Sequence, residues 1–275
     1  MRFLYWNLNR KPIQSLVTAL AHDHDLDVII LSECTFSLPE FLFEINEAIT
    51  PKYGLSYSPI PNPDPVIFIR LPRKSLRIVR DDPPRISIRR LVPPVGPDIL
   101  IVAVHLPSKL HRSADDQTLF STRLARVIDS EEKKVGHRRT VIVGDLNMNP
   151  FESGVVGAEG LHAVMDQRVA QKISRVVDGE ERFFFYNPMW SYFGDYPSGP
   201  SGTYFYRGSQ VSFFWNMFDQ VIIRPALLEF FDQGSLRILT RAGSTDLLNS
   251  AGVPDKKVSS DHLPIVFSLE LAKGV

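Results

Sequence analysis

Seven short apolar runs punctuate the chain, at 2–6, 27–31, 66–69, 99–105, 140–144, 220–223 and 263–269. Runs of this length, bounded by polar and turn-forming residues, are predicted as buried strands. Between the first two, Ile13, Leu16, Val17 and Leu20 recur at i, i+3, i+4 and i+7, which predicts an amphipathic helix. A second helix is predicted over 115–135. There Leu119, Phe120, Leu124, Val127 and Ile128 share a face, and Asp115 and Asp116 suit the positive end of the helix dipole. The opening reads β-α-β, but the later strands follow one another with little helix between them. That order predicts α+β layers and not a doubly wound sheet. The Pro-rich stretches 59–65 and 83–97 are expected as loops or edge turns, since proline cannot donate to a sheet ladder.

Composition sets bounds on this picture. The chain has 275 residues, 44% of them hydrophobic, and shows no repeat, low-complexity tract or composition break. One domain over 1–275 is the expected organisation, with about 70–75% of the extended surface buried. The single Cys34 excludes a disulfide framework and a multi-cysteine zinc site, and is expected to act as a small buried hydrophobe. The first apolar run stops at Asn7, too short for the core of a signal peptide, and no stretch nears the roughly 18 apolar residues of a membrane span. A soluble, cytoplasmic protein is expected. With 31 basic and 31 acidic residues the chain is not basic throughout, which leaves a local basic groove open.

Candidate chemistry sits at the strand ends. Asn7 follows FLYW, Glu33 follows VIILS, His105 follows ILIVAV, Asp145 and Asn147 follow VIVG, and Asp261 with His262 precedes LPIVFSL. Any one of these reads as a turn or cap residue. Together, at one edge of a sheet, they would form a cleft rich in metal-ligand and acid–base groups. Asn, Glu and Asp are hard oxygen donors suited to Mg²⁺ or Mn²⁺, and neither histidine has the spacing of a zinc clip. A hard cation with a His–Asp pair suits phosphate-ester hydrolysis, in which the metal neutralises phosphoryl oxygens while a base activates water.

The ordered segments WNLN (6–9), LSE (31–33), VHLPSK (104–109), GDLNMNP (144–150), FDQVIIRP (218–225) and SSDHLPI (259–265) resemble the motif set of the endonuclease/exonuclease/phosphatase superfamily. The resemblance runs from Asn7 to His262. It implies a DNase I-like four-layer sandwich, two packed mixed β-sheets flanked by helices. It implies Glu33 as the principal metal carboxylate, with Asn7 and Asp261 holding or orienting the metal and its waters. His262 matches the general base or phosphate-binding group, and Asp219 the carboxylate that orients it. Asp145 matches the residue that positions or deprotonates the attacking water. Asn147 matches a donor to the phosphate, and His105 a second phosphate-contacting histidine. Two departures stand out. Ser32 occupies the place where the superfamily usually has Gln, so a supporting hydrogen bond is expected to be absent or rerouted. No Tyr matches the mid-chain phosphate contact of many nucleases, which leaves Arg70 and Arg73 as candidates for that contact.

Two further features bear on the substrate. Residues 1–140 carry 20 basic and 16 acidic groups, residues 141–275 carry 11 and 15, and eight basic side chains fall within 70–90. Clustered arginine suits a phosphate backbone, although alternating arginine also marks the wet face of edge strands. Residues 183–218 hold 15 of the 29 aromatics. Many of these must be core, but Trp190, Tyr192 and Tyr196 flank a Gly/Pro/Ser-rich loop and are candidates for base stacking or an apolar ligand. The leading expectation is a Mg²⁺-dependent phosphodiesterase acting on nucleic acid, DNA first, as an endo- or exonuclease. The alternatives are a phosphoesterase for a phospholipid, inositol phosphate or small nucleotide, and, from another class, an inactive binding module.

Overall fold

The computed structural model describes residues 1–82, 85–110, 112–195, 199–208 and 213–273. Two mixed sheets pack face to face. One has six strands, in the order Phe231–Ile238, Ile265–Leu269, Arg2–Asn7, Val28–Ser32, Val66–Ile69 and Gly54–Leu55. The other has seven, ordered Leu76–Asp82, Ile86–Leu91, Ile99–His105, Thr140–Asp145, Asp219–Ile223, Phe185–Tyr186 and Ala163–Val164.

Successive side chains on a strand point to opposite faces, and the apolar runs serve both. Phe3, Tyr5, Val28, Ile30, Ile67 and Ile69 of the first sheet meet Ile101, Ala103, Val141, Val143, Val221 and Ile223 of the second in one buried cluster. Leu4, Trp6, Ile29, Leu31 and Phe68 face outward onto Val17 and Leu20 of the helix Gln14–Asp23 and onto Phe41 and Ile45 of the helix Leu38–Ala48. Leu100, Val102, Ile142 and Ile222 on the far side pack on Leu124 and Ile128 of the helix Ala114–Val135. The result is the expected four-layer α+β sandwich. Among the described residues no helix is long and apolar enough to cross a membrane.

Local signals explain the helix limits. Ser113 and Asp116 form a reciprocal capping box at the start of the long helix, and Gly136, at φ +78°, closes it in the left-handed conformation. The helix Leu38–Ala48 was not expected, although Ser37 caps it by accepting from the Glu40 N–H and Phe41 and Ile45 lie one turn apart. Within 83–97, expected as loop or edge turn, lies the strand Ile86–Leu91, paired on both sides. Its polar residues alternate as on a wet edge strand. Arg89 is not on a wet edge but buried, with Nη1 2.6 Å from Asp81 Oδ1 and Nη2 3.1 Å from Oδ2.

Strand direction decides what reaches the site. Arg2–Asn7 and Val28–Ser32 run parallel and end opposite one another at Asn7 and Ser32. Ile99–His105 and Thr140–Asp145 likewise end at His105 opposite Asp145. Asp219–Ile223 and Val66–Ile69 run the other way, so their first residues lie at that same end, Asp219 opposite Asp145 and Val66 opposite Leu31.

Candidate active site

The inward alternation continues past the last apolar residue of each strand. Asn7 follows Phe3 and Tyr5, His105 follows Ile101 and Ala103, and Asp145 follows Val141 and Val143, while Asp219 precedes Val221. The polar site is therefore the open end of the inter-sheet core. Asn7 Nδ2 bridges the sheets by donating to Asp145 Oδ2 at 3.1 Å. Gly144, at φ +152°, precedes Asp145 because a Cβ there would lie 1.9 Å from the Val104 carbonyl oxygen. Asp145 Oδ1 in turn accepts from the Asn147 N–H at 2.8 Å.

Two imidazoles converge on Asp145. His262 Nδ1 donates to Asp219 Oδ2 at 2.8 Å, and His105 Nδ1 donates to Asp64 Oδ2 at 2.7 Å. With each Nδ1–H engaged, the free Nε2 atoms face inward, 4.0 Å and 3.8 Å from Asp145 Oδ2. Glu33 Oε1 lies 3.6 Å from His105 Nε2. Glu33 and Asn147 both sit in the left-handed backbone region at φ +52°, a strained state that concentrates at functional sites. The Glu33 N–H is held there by Asp64 Oδ1 at 3.2 Å.

The electrostatics follow from burying several carboxylates together. Burial lowers the His262 imidazole, but Asp219, then Asp145 and Asp261, outweigh it and push the value up to about 10. For His105 burial again lowers, while Asp64 and Asp145 prevail and raise it. Burial drives the Asp145 carboxyl above its usual range, with Asp219 adding to the effect and the two imidazoles opposing it. Beside Glu33, burial pushes the half-buried Cys34 thiol up to about 12, which makes it a poor nucleophile at neutral pH.

The donor set fits a hard divalent cation. Asn7, Glu33 and Asp261 all line one cleft of about 1410 Å³ together with His105, Asp145, Asn147 and His262. Glu33 is matched by Arg10 at 3.4 Å and Asp261 by Lys256 at 3.4 Å. Among the described residues, Asp145, Asp219 and His262 form a cluster tight enough to share one ion, and Asp219 Oδ1 is buried with no hydrogen-bond partner. Carboxylate and amide oxygens of this kind suit Mg²⁺-like ions.

The candidates outside the motifs fare differently. Arg70 leaves its strand at the end opposite the site and pairs with Asp25 at 2.6 Å and Asp27 at 3.2 Å. Arg73 lies in the turn Arg73–Ser75, beside Tyr57 and Ile78 in a separate hollow. Tyr192 packs against the inter-sheet core, so it is not a cleft ring, and Trp190 stands behind Phe151 with centroids 6.3 Å apart. Tyr196 lies outside the described residues. The cleft draws its positive charge from Arg10, Arg85, Lys109 and Arg112, and its rings include Tyr204, Tyr206, Phe213 and Phe214. Arg85 falls in the basic cluster 70–90, Lys109 in VHLPSK and the rings in the aromatic stretch 183–218, whereas Arg10, Arg112 and Asp64 were missed. At Ser32, where a supporting hydrogen bond was expected to be absent or rerouted, the hydroxyl accepts from Tyr5 Oη at 2.9 Å.

A two-sheet sandwich with carboxylate-backed histidines and oxygen ligands at one open end defines a class, the hydrolases of phosphoester bonds. The chain belongs to the Endonuclease/Exonuclease/phosphatase family, whose family model matches residues 4–262. Its fold is shared by the AP endonuclease from Archaeoglobus fulgidus (TM-score 0.57, 14% identity, 98% of this chain and 99% of that one). It is shared equally by the 3'-5' exonuclease NExo from Neisseria meningitidis (TM-score 0.57, 17% identity, 98% and 100%). A third neighbour is D. rerio TDP2 complexed with single strand DNA product (TM-score 0.53, 14% identity, 98% of each chain). No curated protein sequence matches the chain significantly.

Proposed function

We propose that this chain, working as one domain, is a Mg²⁺-dependent phosphodiesterase acting on nucleic acid, DNA in the first place, with Mn²⁺ able to substitute. The observation that carries the reading is the convergence of two carboxylate-backed imidazoles on Asp145. Glu33, with Asn7 and Asp261, would hold the ion, which supplies charge neutralisation at the phosphoryl oxygens. His262, kept as imidazolium by Asp219, and His105, backed by Asp64, direct Nε2–H donors at non-bridging oxygens. Asn147, anchored through its Nδ2 bond to the Leu106 carbonyl at 2.9 Å, adds another donor. Asp145, raised by burial, accepts the proton of the attacking water. The new O–P bond forms as the bond to the leaving oxygen breaks, and that oxygen takes its proton from an imidazolium. Nucleic acid is favoured by the cations lining the cleft and by neighbours described with DNA.

The test compares bis-p-nitrophenyl phosphate, DNA and RNA oligonucleotides, phospholipid, inositol phosphate and mononucleotides, each with Mg²⁺, Mn²⁺ or EDTA. Metal-dependent cleavage of the diester and of DNA is expected, falling about 10²-fold or more in His262→Ala and Asp145→Asn. Cleavage of a lipid or nucleotide ester with no polymer cut would replace the substrate assignment. No hydrolysis of any ester by folded protein would leave the inactive module.

A further inference from the structure

The hairpin that pairs Tyr204–Phe205 with Trp215–Asn216 is built into the site. Its root is fixed beside the His262–Asp219 pair: Tyr204 bridges to His262, the Leu263 N–H donates to the Thr203 carbonyl at 2.8 Å, and the Asp219 N–H donates to Thr203 Oγ1 at 3.1 Å. From this root an aromatic ladder leaves the catalytic centre. The Tyr204 ring lies 4.7 Å from the His262 ring, 5.3 Å from Phe218 and 6.4 Å from Tyr206. Across from it Phe213 packs on Phe151 at 5.3 Å. Tyr206, Phe213 and Phe214 are 43%, 49% and 47% exposed although they line the cleft.

Rings left this open inside a site call for a ligand that covers them. Seven aromatic side chains line the cleft, beside Leu38, Pro63, Val66, Pro107 and Leu110, so flat ring faces form much of its apolar lining. Lys109 Nζ, which also bonds the Glu152 carboxylate, sits 5.3 Å over the Phe218 ring, so a cation stands beside a π-face here, as a phosphate stands beside a base in a strand. A duplex keeps the faces of its bases within its own stack. Only an unpaired strand can offer them.

We propose that the cleft selects an unpaired nucleotide strand, with Tyr204, Tyr206, Phe213 and Phe214 stacking the bases next to the phosphate held at His262. This deepens the phosphodiesterase reading and rests on it for the position of the phosphate. The test is fluorescence anisotropy in Mg²⁺, using a short fluorescein-labelled, phosphorothioate-linked single strand, the same strand annealed to its complement, and phosphatidylserine vesicles as competitor. The single strand should bind about tenfold or more tightly than the duplex. The pair Tyr206→Ala with Phe213→Ala should abolish that preference, and Tyr206→Phe with Phe213→Tyr should retain it, with thermal midpoints unchanged. Equal or tighter binding of duplex, full affinity in the alanine pair, or displacement of the strand by vesicles would overturn the proposal. Hydrolysis plays no part in this readout. Failure to stack a strand and failure to cleave a diester are therefore separate results.

Discussion

Replacing Asp219 by Asn isolates the charge that governs His262. The substitution preserves size in a fully buried position and removes the anion that accepts from Nδ1 at 2.8 Å. In the metal-free protein His262 titrates at about 10 against an ordinary 6.5. That gap is worth roughly 5 kcal/mol in favour of imidazolium. Burial works against it, and Asp219 is the largest of the carboxylates that overcome burial, ahead of Asp145 and Asp261. Asp219→Asn should therefore return the imidazole to about its ordinary range or below. Because the folded state prefers the charged ring, its contribution to stability is complete below about pH 6.5 and is lost as pH rises through about 10. The variant should lose that slope. Ring NMR of the protein in EDTA reads the titration, and hydrolysis of bis-p-nitrophenyl phosphate in Mg²⁺ reads a fall in kcat of about 10²–10⁴-fold. A variant that still titrates near 10, or whose kcat stays within about threefold of the parent, refutes the reasoning.

Three further outcomes test the frame around the site. Glu132→Gln strands the buried Arg224, whose Nε and Nη2 lie 2.8 Å and 3.0 Å from the Glu132 oxygens, and should cost about 3–5 kcal/mol by urea unfolding. Glu132→Leu with Arg224→Met should cost clearly less; an equal loss would contradict the stranded-charge explanation. Burial, with Arg175 beside it, lowers His162 to about 4, so its unfolded form binds the proton more readily and stability should drop as pH falls from about 6.5 towards 4. His162→Gln should show a smaller loss in thermal midpoint between pH 7 and pH 5, and an identical loss would remove His162 as the cause. Arg70→Ala, far from the cleft and paired with Asp25 and Asp27, should leave oligonucleotide cleavage within about twofold. A tenfold fall would return Arg70 to the substrate path.

The strands and their α+β layering were legible because strands buried on both faces must be apolar at nearly every position, as VIILS, ILIVAV and VIVG are, while the four-layer count came from the motif resemblance. The site residues that end parallel runs, Asn7, His105 and Asp145, stood out for the same reason: a polar side chain interrupts an apolar strand on its inward face. What could not be read was direction. Val66–Ile69 runs antiparallel to its neighbour, so the residue after it, Arg70, lies at the wrong end, while Asp64, before it in a Pro-rich stretch, reaches His105. One strand reversal accounts for both errors. The substrate-side rings were misjudged because aromatics in runs look alike whether they pack or face solvent. Only the Tyr204–Asn216 pairing separates Tyr206 and Phe213 on the cleft from Tyr192 in the core. Arg89 and its partner Asp81 were equally opaque, since an ion pair inside a sheet has the sequence of a wet edge.

The central claim is metal-assisted attack of water on phosphorus in a phosphodiester. Its most direct test is cleavage of a DNA oligonucleotide in ¹⁸O-labelled water with Mg²⁺, followed by mass spectrometry of both fragments. One label per cut is expected in the new terminal phosphate, with none in the released hydroxyl, and product should vanish in EDTA and fall about 10²-fold or more in Asp145→Asn. Label in the hydroxyl fragment, or cleavage that persists in EDTA, would contradict it.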